Sequence, residues 1–231
     1  MRTAAILPVK RFAAAKSRLG ASIDETLRER LTRAMVADVL QALQQSSAIE
    51  RTIVVTCEAS LREPAELHGA LMIEDTAERG QSAAVTLGIR RALADGVERV
   101  LCVPGDCPAL DPAELDALLA ANSGVRQDRA EVVIVPDRHG TGTNGLLLAP
   151  PEAIAPSFGP DSCERHRRLA QDAGVECRLE RPASLLLDID TGADLAALRE
   201  RLDGAAGGAP LTRAVLAQPE RQILKTILTA G

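Results

Sequence analysis

Short apolar runs alternate with stretches of helical spacing through the first half of this chain. That alternation predicts a largely parallel sheet with helices on both faces. Ala4–Val9 reads as a buried strand ending at Lys10. Ser22-Ile-Asp-Glu25 has the spacing of a capping box and opens an amphipathic helix to about Gln45. Thr52–Cys57 reads as a second strand, and Leu71–Ile73 as a short third. Gln81 to about Asp95 is helical, with Gly96 where a C-terminal cap belongs. Val100–Val103 is a strand, followed by the turn Pro104-Gly105-Asp106-Cys107-Pro108. Asp111-Pro112 places an N-cap before an N1 proline and opens a helix to about Ala121. Strands then crowd together at Glu131–Val135, Gly145–Leu148, Cys177–Leu179 and Leu185–Leu187, so the sheet should be mixed there. Helices are expected at Asp161–Ala173 and at Thr191–Leu202, the latter with Thr191 and Asp194 in cap-like positions.

Residues 1–203 thus read as one α/β domain. Asp203–Pro210 reads as a Gly-rich linker, and Leu211–Ala230 as a helical tail interrupted by Pro219. That tail could pack on its own domain or on the partner of a homodimer. The chain's 231 residues can bury a sizeable core without metal or disulfide staples. Trp and Tyr are absent and only Phe12 and Phe158 are aromatic, so Ala, Leu, Val and Ile must fill that core. The same poverty removes the stacking platforms of single-strand nucleic-acid binders. A net charge of −5 argues against a nucleic acid or an anionic membrane as partner. No apolar run approaches the roughly 20 residues of a membrane span. The opening segment is too short and too charged for a signal peptide. Five cysteines, odd in number and without CxxC spacing, indicate reduced thiols and a cytoplasmic location. Cys102 and Cys107 read as small buried thiols.

Open α/β sheets bind ligands beyond the carboxyl ends of their strands. After the first strand, Lys10, Arg11, Lys16 and Arg18 fall around three alanines, small enough to let backbone N–H groups approach an anion. A triphosphate cradle and a solvated basic loop both fit. After the strand at Val100–Val103, Asp106 could hold Mg²⁺ or brace its turn. Asp188 and Asp190, two apart at a strand end, would share one face. Their repulsion suits a divalent cation, unless one of them caps the next helix. Three aspartates without a His or Cys cluster favour an oxygen-liking cation over zinc. Gly140-Thr-Gly142-Thr143-Asn144-Gly145 has the form GxGxxG, but a strand-like run follows instead of a helix, so it is no dinucleotide fingerprint. It reads as a loop presenting Thr hydroxyls and backbone N–H groups. Phe158-Gly159-Pro160-Asp161-Ser162 leads into a helix start carrying Arg165, His166, Arg167 and Arg168, either an anion site or an ordinary basic helix. His68 and His139 have no evident partner. Walker A and GxSxG motifs are absent. Two anion stations and an aspartate metal site suit nucleotidyl transfer from a nucleoside triphosphate to an anionic acceptor.

Taken in order, these motifs resemble one family. Leu7-Pro-Val-Lys10-Arg11-Phe-Ala-Ala-Ala-Lys16-Ser-Arg18-Leu19, Gly105-Asp106-Cys-Pro108, Asp137-Arg138-His-Gly140-Thr-Gly-Thr143-Asn144, Phe158-Gly159-Pro160-Asp-Ser162 and Asp188-Ile-Asp190-Thr191 together are similar to the phospholactate and phosphoenolpyruvate guanylyltransferases of coenzyme F420 biosynthesis. These are relatives of the molybdenum-cofactor guanylyltransferases. The resemblance spans roughly residues 3–203. It implies a single-domain, Rossmann-like fold of the nucleotide-diphospho-sugar-transferase type. It implies GTP as donor, pyrophosphate as product, Mg²⁺ as cofactor and a phosphorylated three-carbon acid as acceptor: 2-phospho-L-lactate, phosphoenolpyruvate or 3-phospho-D-glycerate. By position, Asp106, Asp188 and Asp190 would hold metal, and Thr143, Gly159 and Ser162 would bind the acceptor. Pro8, Val9, Lys10, Lys16, Arg18, Gln81 and Ser82 would bind nucleotide, with Lys16 and Asp106 in the catalytic machinery. Gly80-Gln81-Ser82 stands where the family more often has a Leu-Asn pair. The rival expectations are a nucleotidyltransferase for a sugar phosphate or molybdopterin, and a non-catalytic nucleotide-binding regulator.

Overall fold

Alternate residues of the first strand divide between two cores, and that division sets the layers of the molecule. The computed structural model describes residues 1–14, 16, 19, 22–121, 130–204 and 208–218. In β1 (Thr3–Val9), Ala5 and Leu7 join one apolar cluster while Ala4 and Ile6 join another on the opposite face. This is the two-residue repeat of a strand buried on both sides. Six more strands extend the sheet: β2 (Arg51–Thr56), β3 (Leu71–Glu74), β4 (Arg99–Cys102), β5 (Glu131–Pro136), β6 (Thr143–Ala149) and β7 (Glu176–Leu179). Their order is β3-β2-β1-β4-β6-β5-β7. All pairings are parallel except those of β6, which runs antiparallel to both β4 and β5. The mixed second half is therefore one reversed strand in an otherwise parallel sheet.

One face is covered by α1 (Glu25–Gln45), α2 (Arg62–Leu67) and α4 (Pro112–Ala120), through Val36, Val39, Leu40, Leu43, Ala65, Leu115 and Leu119. The other is covered by α3 (Gln81–Ala94) and α5 (Ser162–Asp172), through Val85, Ile89, Cys163 and Ala170. Each large aliphatic side chain fully removed from water contributes about 1.5–3 kcal/mol. Gly88 lets α3 lie close on β1, since a Cβ there would sit 2.6 Å from Ile6 Cγ2. A third apolar cluster joins α1 to α6 (Gly192–Gly204) through Leu31, Met35, Leu195, Leu198 and Leu202, and it includes Ile189.

Two local expectations are corrected. The N-cap of α1 is Asp24, whose carboxylate accepts from Leu27 N at 2.8 Å, rather than Ser22. Leu185–Leu187 is not a strand. A 3-10 turn occupies Ala183–Leu185, and the backbone after it is irregular because it bonds to the β4 loop instead of a neighbouring strand. The tail begins with α7 (Pro210–Leu216), which packs on α1 of the same chain. Asp38 of α1 caps it, accepting from Leu211 N at 3.0 Å and Thr212 N at 2.7 Å. Residues 205–207 of the expected linker, and the expected helix beyond residue 218, lie outside the described residues. Among the described residues no helix is long and apolar enough to cross a membrane.

Candidate active site

The chain steps from β1 to β2 and β3 on one side, then returns to place β4 on the other side of β1. Ligands bind at such a switch point, beyond the carboxyl ends of the strands. From β1 the chain passes through a 3-10 turn at Phe12–Ala14 and reaches Lys16, whose φ of +57° is left-handed. Few residues other than glycine adopt that conformation, and such strain concentrates at functional sites. The Lys16 ammonium bonds the Asp106 carboxylate in the loop after β4. It also bonds Asp190 Oδ1 at 2.7 Å. The Lys16 side chain is 8% exposed, whereas that of Asp190 is 48% exposed. Burial works to lower the ammonium's pKa, but attraction to Asp106 and then Asp190 outweighs it and raises the group above its ordinary range.

The segment carrying Asp188 and Asp190 is anchored from beneath. Ile189 is fully buried in the third apolar cluster, and its N–H donates to Asp106 O at 3.1 Å. Asp194, in the first turn of α6, accepts from Asp190 N at 3.1 Å, Thr191 N at 2.7 Å and Thr191 Oγ1 at 2.8 Å. Arg138 reaches Asp194 at 2.5 Å from the loop before β6. Asp188 and Asp190 thus keep alternation without a strand: the residue between them is sunk in the core while they stay partly exposed. Asn144 Nδ2 donates to Asp188 Oδ1 at 3.1 Å and to Leu185 O at 2.8 Å. Burial raises the Asp188 carboxyl above the usual range and repulsion from Asp106 adds to this, while the Asn144 bond opposes both.

Asp106 Oδ1 is buried and has no hydrogen-bond partner among the described residues. Leaving a buried acceptor unpaired costs about 1–3 kcal/mol, and more for a charged group. A cation would satisfy it, and neighbouring carboxylates suit a hard divalent ion such as Mg²⁺. Among the described residues no three acidic, His or Cys side chains already form a ligand cage. The positive charge between Asp106 and Asp190 is the Lys16 ammonium.

Residues 3–204 match the family described as guanylyl transferase, CofC like. The chain belongs to that family. A phosphoenolpyruvate guanylyltransferase of Conexibacter woesei is 48% identical over 226 residues, 98% of either chain. A 2-phospho-L-lactate guanylyltransferase of Methanothermobacter thermautotrophicus is 34% identical, covering 84% of this chain and 83% of its own. A nucleotide-diphospho-sugar transferase-like structure from Desulfovibrio desulfuricans superposes with a TM-score of 0.72 at 18% identity, covering 94% of each chain, a likeness of fold.

In this CofC-like chain the described residues expected to bind nucleotide stand at or after the carboxyl ends of β1 and β3. Pro8 and Val9 end β1, in register with Val55 and Thr56 of β2, and Lys10 follows exposed. Arg11 pairs with Glu78 at 3.0 Å, tying the β1 loop to the segment before α3. Gln81 and Ser82 open α3, and Ser82 Oγ accepts from Phe158 N at 2.8 Å. Arg18 lies outside the described residues.

The expected acceptor residues come together around His166. Thr143 begins β6, and its Oγ1 lies 3.1 Å from His166 Nδ1. Gly159 has a φ of +118°, and among the described residues an added Cβ would meet only Arg165 Nη2 at 3.6 Å, so conformation rather than space calls for glycine there. Ser162 is buried at the start of α5, and its N–H donates to Gly159 O at 3.1 Å.

Several proposed anion contacts are used internally. The carboxylate of Asp137 accepts from Thr141 N and Gly142 N, both at 2.9 Å, so these N–H groups of the GxGxxG loop are not presented to a ligand. Arg165 bonds Ser157 O at 3.0 Å and also Pro160 O, while Arg167 and Arg168 pair with Glu164. His68 and His139 do have partners, Gln44 Oε1 at 2.7 Å and Arg138 Nε at 3.1 Å. Sequence reasoning missed the buried, neutral state of His166. Burial first, and Arg165 second, depress its pKa to about 4. The signal was available: Ser162, Cys163, His166 and Ala170 form one buried face of α5.

Proposed function

We propose that this chain transfers GMP from GTP to a phosphorylated three-carbon acid, phosphoenolpyruvate first among them, releasing pyrophosphate in a step of coenzyme F420 biosynthesis. Lys16 carries the reading: an ammonium from the β1 loop, in strained backbone, sits among Asp106 and the 188–190 segment. The name and near-complete overlap of the Conexibacter woesei relative support the acceptor.

The acceptor's phosphate oxygen attacks the α-phosphorus of GTP, the α–β phosphoanhydride bond breaks, and pyrophosphate leaves. A phosphate monoester is mostly ionised at neutral pH, its second pKa being about 6, so no residue need remove a proton. The difficulty is charge, because two anions must meet. Asp106, Asp188 and Asp190 would hold Mg²⁺, which when bound offsets charge on the phosphate oxygens. Lys10, Lys16 and Arg18 offset charge on the departing pyrophosphate. Thr143, Gly159 and Ser162 orient the acid.

The test is pyrophosphate release with GTP, ATP or CTP against phosphoenolpyruvate, 2-phospho-L-lactate and 3-phospho-D-glycerate. GTP with phosphoenolpyruvate should be the fastest pair. Turnover only with a sugar phosphate or molybdopterin, or nucleotide binding without turnover on any acceptor, would overturn the proposal.

A further inference from the structure

A threonine hydroxyl can give or accept a hydrogen bond, and a fixed neighbour that donates to it leaves its single proton free for a ligand. For Thr143 that neighbour is His166, through Nδ1 at 3.1 Å. The other ring nitrogen, Nε2, faces the backbone N–H of Ser157 at 2.9 Å. A backbone amide can only donate, so Nε2 carries no proton. The ring has no solvent exposure and stands edge-on to Phe158, with centroids 5.1 Å apart. Burial and the Arg165 charge keep it neutral. A neutral imidazole with a bare Nε2 has its proton on Nδ1. Nδ1–H therefore donates to Thr143 Oγ1, and the hydroxyl's own proton is free to point elsewhere.

We propose that His166 is a positioning residue that leaves the Thr143 hydroxyl proton free to be donated to the acceptor substrate, favouring an unprotonated oxygen, carboxylate or phosphate, at that point. This rests on the reading of Thr143 as an acceptor-binding residue. The same ring ties Thr143 of β6 to the 157–159 turn, so it also sets the spacing between the two walls of the acceptor site. A ligand presenting an N–H or O–H to Thr143 would have only the hydroxyl's one remaining lone pair to use, and the threonine proton would lose that ligand as its acceptor. Buried polar groups reject such analogues more strongly than a missing methylene does.

Two measurements on the full chain test this. Long-range ¹H–¹⁵N spectra resolve three histidines, assigned with His68→Gln and His139→Gln. His166 should show a single neutral form protonated at Nδ1 at neutral pH. An Nε2-protonated ring, a mixture of forms or an imidazolium overturns the proposal. The second measurement compares KM for the acid with KM for GTP in Thr143→Val, Thr143→Ser, His166→Gln and the Val/Gln double variant. Losing a hydrogen bond to an ionised oxygen should raise the acid's KM about tenfold or more. That rise should appear in Thr143→Val and His166→Gln with GTP KM unchanged, and Thr143→Ser should restore the wild-type value. The double variant should be no worse than Thr143→Val alone. An equal further loss from His166→Gln when the hydroxyl is already gone would show that the ring acts only through the fold. If the wild-type chain transfers GMP to no phospho-acid, the functional reading has failed, and the ring's protonation state still decides the assignment of His166.

Discussion

Replacing Lys16 by Met removes one charge and keeps most of the side-chain volume. The outcome depends on what else can neutralise Asp106 and Asp190. Lys16 is 8% exposed and Asp106 is 23% exposed, so their pair is largely shielded, whereas Asp190 is 48% exposed. Deleting one partner of a fully buried pair costs about 3–5 kcal/mol. Water on the carboxylates reduces this here to about 1–3 kcal/mol. Urea unfolding in the presence of a chelator should show Lys16→Met destabilised by that amount. A ligand at about 100 times its Kd stabilises the folded state by about 2.7 kcal/mol. Ammonium and metal neutralise the same carboxylates, so Mg²⁺ should stabilise Lys16→Met more than it stabilises the wild type. Equal stabilisation of both proteins, or of neither, would refute the shared-site reasoning.

Asp188→Asn keeps an oxygen to accept from Asn144 and should leave the melting temperature near the wild-type value, while lowering turnover by about two orders of magnitude or more; wild-type turnover would remove Asp188 from the site. His166 has a pKa of about 4 in the folded protein against an ordinary 6.5. The unfolded chain therefore takes up the proton first as pH falls. The stability this contributes is complete above about pH 6.5, down by about 2 kcal/mol at about pH 5, and lost through about pH 4. Unfolding free energies measured across that window should fall less steeply for His166→Gln than for the wild type, and parallel curves would contradict the neutral buried ring. Asp38→Ala removes the cap of α7 and should cost about 1 kcal/mol. It should also speed proteolytic release of the tail, and unchanged cleavage would show that α7 is held by its apolar contacts alone.

Most of the fold was legible because burial and periodicity coincide. The alternation of β1 between two cores, the Asp111-Pro112 helix start and the extent of α3 follow from local sequence. The cap of α1 was misplaced because Ser22, Asp24 and Glu25 offer overlapping signals, and only the backbone decides which carboxylate or hydroxyl reaches the free N–H groups. Leu185–Leu187 looked like a strand because three buried leucines carry no sign of whether a neighbouring strand is available. The proximity of Asp106 to the Asp188 and Asp190 segment was anticipated, but the ammonium between them was not. Lys16 lies 90 residues from Asp106 and 174 from Asp190, and no local pattern encodes that meeting. Asp38 is a buried charge on α1 that the sequence reading did not single out, and its partners are backbone N–H groups, which a sequence does not distinguish. The cations at the start of α5 fit an anion site and an ordinary basic helix equally well for a related reason. Composition counts charges, whereas the fold had already assigned Arg165, Arg167 and Arg168 to internal partners.

The central claim is the joining of two phosphates, and ³¹P NMR of a mixture of the wild-type chain, GTP, Mg²⁺ and phosphoenolpyruvate observes that bond directly. The account predicts loss of the GTP signals, appearance of inorganic pyrophosphate and a new pair of mutually coupled diphosphate resonances in equal amount, all formed about a hundredfold or more slower by Asp188→Asn. Pyrophosphate accompanied by free GMP, with the signal of the acid unchanged, would contradict it.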